Sequence, residues 1–135
     1  MITDDLMDLS RDQAITATAA STDYYDARTS TDLGAGEHLH VWAKVTEAFN
    51  NLTSLTFALQ CDDDPAFGTA ATLWTTAVLL AGLTLNKPVP LPGISAGNRK
   101  RYWRLYYTVT GTAPTTGKIS AGFNRGKSAR PELTY

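Results

Sequence analysis

The chain has a single cysteine, Cys61, and only two histidines, His38 and His40, in 135 residues. One thiol cannot form an internal disulfide, and its place in an apolar alternation reads as a buried, unreactive side chain. No apolar stretch approaches the roughly 18 residues needed to span a membrane. The start, MITDDLMDLS, has acids where a secretion signal needs cations before an apolar segment, so the reading is a protein made and kept in the cytoplasm. Without a secretion route the Asn51-Leu52-Thr53 sequon carries little meaning.

Catalytic signatures are also missing. The sequence contains no GxSxG elbow, HExxH, phosphate-binding Walker loop or GxGxxG, and no acid–base pair stands out, which points away from an enzyme and from a bound cofactor. His38 and His40 have the two-apart spacing of a β-barrel metal site, but Lys44 and Val45 occupy the positions where a further carboxylate ligand is needed, and a third His is lacking. Asp62-Asp63-Asp64 could offer oxygens to calcium, yet no EF-hand pattern follows, and a solvated turn carrying DDDP is the preferred reading.

Charged residues make up 19% of the chain, below the usual quarter, and the net charge is −1. That balance hides an asymmetry. Residues 1–64 hold Arg11, Arg28 and Lys44 against twelve acids, whereas residues 65–135 hold nine cations against Glu132 alone. Either strands from the two halves interleave, or an acidic face and a basic face dock on partners of opposite sign.

What is present is strand punctuation. Clusters of Gly, Pro, Asn, Asp and Ser at 29–36, 62–68, 81–88, 92–98 and 111–117 separate runs of strand length. HLHVWAKV puts Leu39, Val41, Ala43 and Val45 on one face; SLTFALQC does the same with Leu55, Phe57, Leu59 and Cys61. TLWTTAVL, KPVPL, KISAGFN, QAITATA and DYYDA are further strand candidates, with Pro88 and Pro90 confining KPVPL to an edge or an irregular stretch. The count of about eight strands predicts an all-β, two-sheet sandwich. The organisation expected is an N-terminal arm over 1–12, a sandwich over 13–123 and a basic C-terminal arm over 124–135. Ile2, Leu6 and Leu9 have the spacing of a short helical turn capped by Thr3.

NRKRYWRLYYTV, residues 98–109, concentrates cations and rings. Period two divides it into an inward row, Trp103, Leu105, Tyr107 and Val109, and an outward row, Tyr102, Arg104, Tyr106 and Thr108. Open sheets that bind single-stranded nucleic acid combine these residue types, but such affinity rests on a net basic surface and this chain is slightly acidic. Tyr and Arg are also enriched where proteins dock on proteins, and that is the preferred reading.

The order QAITATAAST, DLGAGEHLHVWAKVTEAF, LTFALQCDDDPAFGTAATLW and NRKRYWRLYYTVTGTAPTTGKISAGF resembles the small capsid cement, or decoration, proteins of tailed bacteriophages, built as a single jelly roll. The resemblance implies a non-enzymatic jelly-roll β-sandwich on the exterior of an icosahedral capsid, bound to the major capsid protein as a homotrimer at threefold positions and bridging neighbouring subunits. It implies no nucleic-acid or membrane partner. Candidate docking residues are Arg99, Lys100, Arg101, Tyr102, Arg104 and Tyr106 on the strand, Arg125, Lys127 and Arg130 in the basic arm, and Asp4, Asp5 and Asp8 at the acidic start. The alternative is a carbohydrate-binding sandwich using Trp42, Tyr102 or Tyr106 as sugar platforms, with calcium at Asp62–Asp64; single-strand nucleic-acid binding by 99–106 is a second alternative.

Overall fold

A computed structural model describes residues 8–32, 39–89, 91–92 and 99–125; at 27–32, 39, 99, 124 and 125 the backbone alone is described. Eight strands follow in chain order: β1 (Asp8–Ala14), β2 (Ala19–Ala20), β3 (Tyr25–Asp32), β4 (Leu39–Glu47), β5 (Leu52–Asp62), β6 (Ala71–Leu79), β7 (Arg99–Gly111) and β8 (Lys118–Arg125). They form two antiparallel sheets. The first has the order β1-β8-β4. In the second, β7 pairs with β5, which pairs with β6, while β2 and β3 share the other edge of β7 in succession.

Residues 86–89 extend the first sheet beyond β4. Asn86 N–H donates to Val45 O at 2.8 Å, Val45 N–H to Lys87 O at 3.1 Å and Val89 N–H to Ala43 O at 2.9 Å, around a bridge between Lys44 and Pro88. This is the irregular edge expected of KPVPL, because Pro88 has no N–H to give. The chain thus passes from β1 in the first sheet to β2 and β3 in the second, to β4 in the first, through the β5–β6 hairpin in the second, to 86–89 in the first, then to β7 and β8 in opposite sheets. That is the connectivity of a jelly roll.

Period-two patterning fills the space between the sheets. Leu55, Phe57, Leu59 and Cys61 of β5 are fully buried, as are Trp103, Leu105 and Tyr107 of β7, and they meet Val45, Ile119, Ala121 and Phe123 of the first sheet in one core. Each large side chain removed from water contributes about 1.5–3 kcal/mol. Phe57 and Tyr107 meet edge to face with centroids 5.5 Å apart, and Tyr25 packs on Phe123 at 5.4 Å. The β7–β8 connection ends at Gly117, whose φ of +135° suits glycine and whose missing Cβ leaves room for the Phe49 ring.

A buried polar contact joins the sheets through this core. The Tyr107 hydroxyl on β7 lies 2.7 Å from Ser10 Oγ on β1. Gln13 fixes the direction of the bond. Its Nε2 donates to Ala20 O at 2.9 Å and its Oε1 accepts from Thr22 N–H at 2.9 Å and from Ser10 Oγ at 2.6 Å. The single Ser10 proton is therefore used on Gln13, and Tyr107 is the donor to Ser10. Burial holds the Tyr107 hydroxyl in its neutral form well above the usual tyrosine range, against the smaller opposing effect of Ser10.

Several expectations are corrected. Residues 8–12 are not the end of an arm: Asp8, Ser10 and Gln13 pair with Gly122, Ala121 and Ile119, so they belong to the first sheet. Leu9 is a fully buried strand residue rather than part of a helical turn, and Ile2 and Leu6 lie outside the described residues. QAITATA is not one strand. It is divided between β1 and β2 by a turn in which Ile15, tied through its N–H to Gly117 O at 3.1 Å, is itself buried.

Tyr107→Phe removes the cross-sheet donor and leaves a buried Ser10 oxygen one bond poorer. The expected cost is about 1 kcal/mol with no change in fold, measured as a lower urea midpoint at unchanged slope. A variant as stable as the parent would show that the bond adds nothing net.

Candidate docking face

β7 is the strand on which the candidate residues were read, and its outward row is less open than the alternation alone suggests. β5 and β3 flank it, setting Asp62 and Asp26 opposite Tyr102, Gln60 opposite Arg104, and the small Ala58 opposite Tyr106. Tyr102 is not an exposed ring: only 9% of it is accessible. Arg104 and Tyr106 are half-buried.

The cover comes from two segments that are not sheet strands. Tyr24, just before β3, meets Tyr102 edge-on at 5.2 Å and Phe67 at 6.0 Å. Phe67 belongs to the DDDPAFGT loop after β5; it adopts a left-handed φ of 55° and is buried. The Arg104 guanidinium lies 4.2 Å from the Phe67 centroid and 5.5 Å from that of Tyr106, and Arg101 lies 4.9 Å from the Tyr102 centroid. All are within reach of cation–π attraction. The result is a continuous pile, Arg101, Tyr102, Tyr24, Phe67, Arg104 and Tyr106, with Tyr24 its most open ring at 44% accessible.

The cations in this pile are already engaged. Arg101 makes a two-pronged pair with Asp26, Nε to Oδ1 at 2.8 Å and Nη2 to Oδ2 at 3.0 Å, which raises its pKa further above the ordinary value. Arg104 Nε donates to Gln60 Oε1 at 2.8 Å, while burial of its guanidinium lowers its pKa. Lys100 Nζ stands 3.9 Å from Asp63, whose Oδ1 also accepts the Arg101 N–H at 3.0 Å. Around β7, then, the acidic and basic halves of the sequence interleave.

Asp62 anchors the loop that delivers Phe67. Its carboxylate is buried and accepts the N–H groups of Asp63 at 2.7 Å, Asp64 at 3.3 Å and Thr69 at 2.9 Å, together with the Thr69 hydroxyl. Burial alone raises its pKa; the three backbone donors and the hydroxyl outweigh that and hold it below the ordinary 3.8. The turn read from DDDP is real, but its first acid is sequestered rather than solvated. Both its oxygens hold the loop closed. Among the described residues no group of three His, Cys, Asp or Glu is placed to hold a metal ion.

The remaining candidates do not converge here. Asp8 lies in β1 of the other sheet, 2.9 Å from Arg11. Arg99 and Arg125 open β7 and close β8, where their backbones pair with Asp32 and Leu39. Asp4, Asp5, Lys127, Arg130 and His38 lie outside the described residues. His40 is an exposed β4 residue. Of the three rings read as alternative sugar platforms, Tyr102 is buried, while Trp42 on β4 of the first sheet and Tyr106 on β7 of the second are half-buried. Cys61 is buried with its thiol pushed up to about 11, chiefly by burial, as its inert reading requires.

Sequence reading missed Tyr24 and Phe67. Their signal was available in one respect: an aromatic inside an otherwise polar turn, DDDPAFGT, is a ring in need of a surface to cover.

Asp62→Asn is expected to loosen this loop and lower the melting temperature at neutral pH. Because the folded pKa of Asp62 is depressed, its contribution is present above the unfolded value and is lost as pH falls through the lower folded value. The gap between parent and variant therefore narrows once the pH drops below 3.8. Thermal melts of both proteins from neutral pH to strong acid check this; a gap that stays constant contradicts the assignment.

The sandwich is also the unit that comparison recognises. Among curated proteins there is no match. The profile of the Bbp16 family matches residues 9–123, from the buried Leu9 of β1 to the buried Phe123 of β8, reaching into each of the described strands and taking in the whole of the pile on β7. On that match the chain belongs to the Bbp16 family.

Proposed function

We propose that this protein is a non-enzymatic structural component of a phage virion that binds the outer surface of an icosahedral capsid and stabilises the shell by bridging major capsid protein subunits. The observation that carries the reading is that the stretch resembling capsid cement proteins, 13–123, falls within the family match over 9–123 and within the jelly-roll sandwich, which runs from Asp8 to Arg125.

The outer face of the second sheet supports it physically. Tyr24 and Tyr106 present ring area on a surface whose arginines are held by Asp26, Gln60 and neighbouring rings. Such a face suits shape-matched contact with another protein, where Tyr and Arg anchors dominate binding. A phosphate would have to compete with Asp26 for the Arg101 guanidinium and would meet the carboxylates of Asp26 and Asp63 beside it, which weighs against nucleic acid as the ligand. Repetition of one modest contact over a symmetric shell supplies avidity that no single contact needs.

The test is sedimentation with expanded capsids that lack the protein. The purified chain should pellet with them at saturating stoichiometry and raise the temperature at which the shells come apart. Tyr24→Ser should weaken that binding at least tenfold; because it also uncovers Tyr102 and Phe67, the melting temperature of the free protein should fall by about 3–6 °C, so binding is compared well below both midpoints. Failure to sediment with matched capsids sinks the proposal.

A further inference from the structure

Of the β7 cations whose side chains are described, Lys100 and Arg101 face carboxylates and Arg104 does not. Lys100 Nζ stands 3.9 Å from Asp63, and Arg101 is clasped by Asp26. Opposite Arg104 the neighbouring strand β5 supplies Gln60, a neutral amide, and among the described residues no carboxylate forms an ion pair with its guanidinium. Asp62, further along β5, has both oxygens turned to the N–H groups and hydroxyl of its own loop.

Arg104 is nonetheless firmly placed. Its guanidinium lies 4.2 Å from the Phe67 centroid and 5.5 Å from that of Tyr106, and its Nε–H is spent on Gln60 Oε1 at 2.8 Å. Its Nη groups find no acceptor among the described residues. Neither are they enclosed: the buried side-chain nitrogens left without a partner are the indole N–H groups of Trp42 and Trp74. An arginine fixed through one nitrogen and two rings thus turns the remaining edge of its fork to the surface.

On the Tyr106 side of this fork the surface is neutral and low. Tyr106 pairs with Ala20 of β2 and Ala58 of β5, and Ala58 pairs with Thr75 of β6. These small side chains leave the half-buried Tyr106 ring standing above a ledge that fits an apolar group.

We infer that the Arg104 fork is a binding site for a single carboxylate, an Asp or Glu side chain of the major capsid protein, whose apolar neighbour rests on Tyr106 and the ledge of Ala20, Ala58 and Thr75. The identity of the partner rests on the proposed function; the site itself does not. Charge argues for an anion, because Arg104 is the cation of this pile that lacks a counter-charge, and a docking acid supplies it. Geometry argues for a carboxylate, whose planar pair of oxygens matches a planar fork of N–H donors. Phosphates of a nucleic acid arrive in series, and the next cations along β7 stand beside Asp26 and Asp63, so the fork serves one isolated anion.

Two measurements separate the site from its partner. The first follows the Arg104 Nε–H resonance of the purified full chain while sodium acetate replaces sodium chloride at neutral pH and constant ionic strength. A saturating shift is expected, larger than inorganic phosphate produces. It should be absent from Gln60→Glu, which keeps Arg104 and both rings but gives the fork a carboxylate of the protein's own. No shift, a shift shared by Gln60→Glu, or a stronger response to phosphate overturns the site. The second is pelleting with expanded capsids. Arg104→Lys, which keeps the charge and loses the fork, and Gln60→Glu should each raise the dissociation constant by about tenfold. Capsid binding that neither variant weakens overturns the assignment of the partner and leaves the proposed function standing. Acetate binding by a chain that does not pellet upholds the site and sinks the capsid reading instead.

Discussion

The pairing of β7 with β5, from Leu52 opposite Gly111 to Asp62 opposite Tyr102, is the constraint on which the rest depends. Both strands lie inside the second sheet with partners on each edge, so neither can slide without breaking two ladders. A slip by one residue would turn Arg104 and Tyr102 into the core and expel Trp103, Leu105 and Tyr107. The cost of burying a guanidinium without a carboxylate far exceeds any local strain, and the register is therefore fixed by what must not be buried as much as by what must. Tyr107, once inward, reaches Ser10 on the opposite sheet and ties the sheets at a polar point in an apolar interior.

The same register decides the electrostatics. β7 comes from the basic half of the sequence and its neighbours β3 and β5 from the acidic half, so adjacency in the sheet brings Asp26, Asp62 and Asp63 alongside Lys100, Arg101 and Tyr102. Charge that appears segregated along the chain is mixed in space. Half-exposed pairs of this kind contribute little to stability. Their effect is geometric: Asp62 closes the loop, the loop carries Phe67 to Arg104, and Arg104 is held between Phe67 and Tyr106.

How much of this could be read from sequence follows from the range of each interaction. Alternation is a local signal, and it placed Val41, Ala43 and Val45, the β5 row and Trp103 to Tyr107 on the buried side. Pro88 likewise revealed the weak edge through a local property, its missing N–H. The burial of Tyr102, by contrast, depends on Tyr24 and Phe67, which arrive from 78 and 35 positions away along the chain. No periodicity within β7 encodes them. Strand β1 is not legible in the sequence because its bulged register and left-handed Asp12 break the alternation that would announce it.

A face braced in this way has a thermodynamic consequence for recognition. Association costs the freedom of every side chain that becomes fixed in the contact, about 0.5–1.5 kcal/mol for a long flexible one. Arg101 and Arg104, held by Asp26, Gln60 and the rings around them, have lost much of that freedom on folding. A partner that meets Tyr24 and Tyr106 therefore meets a surface whose shape is already set. In the proposed capsid role each contact is modest and repeated, and an ordering cost saved at every copy would let a small face hold firmly.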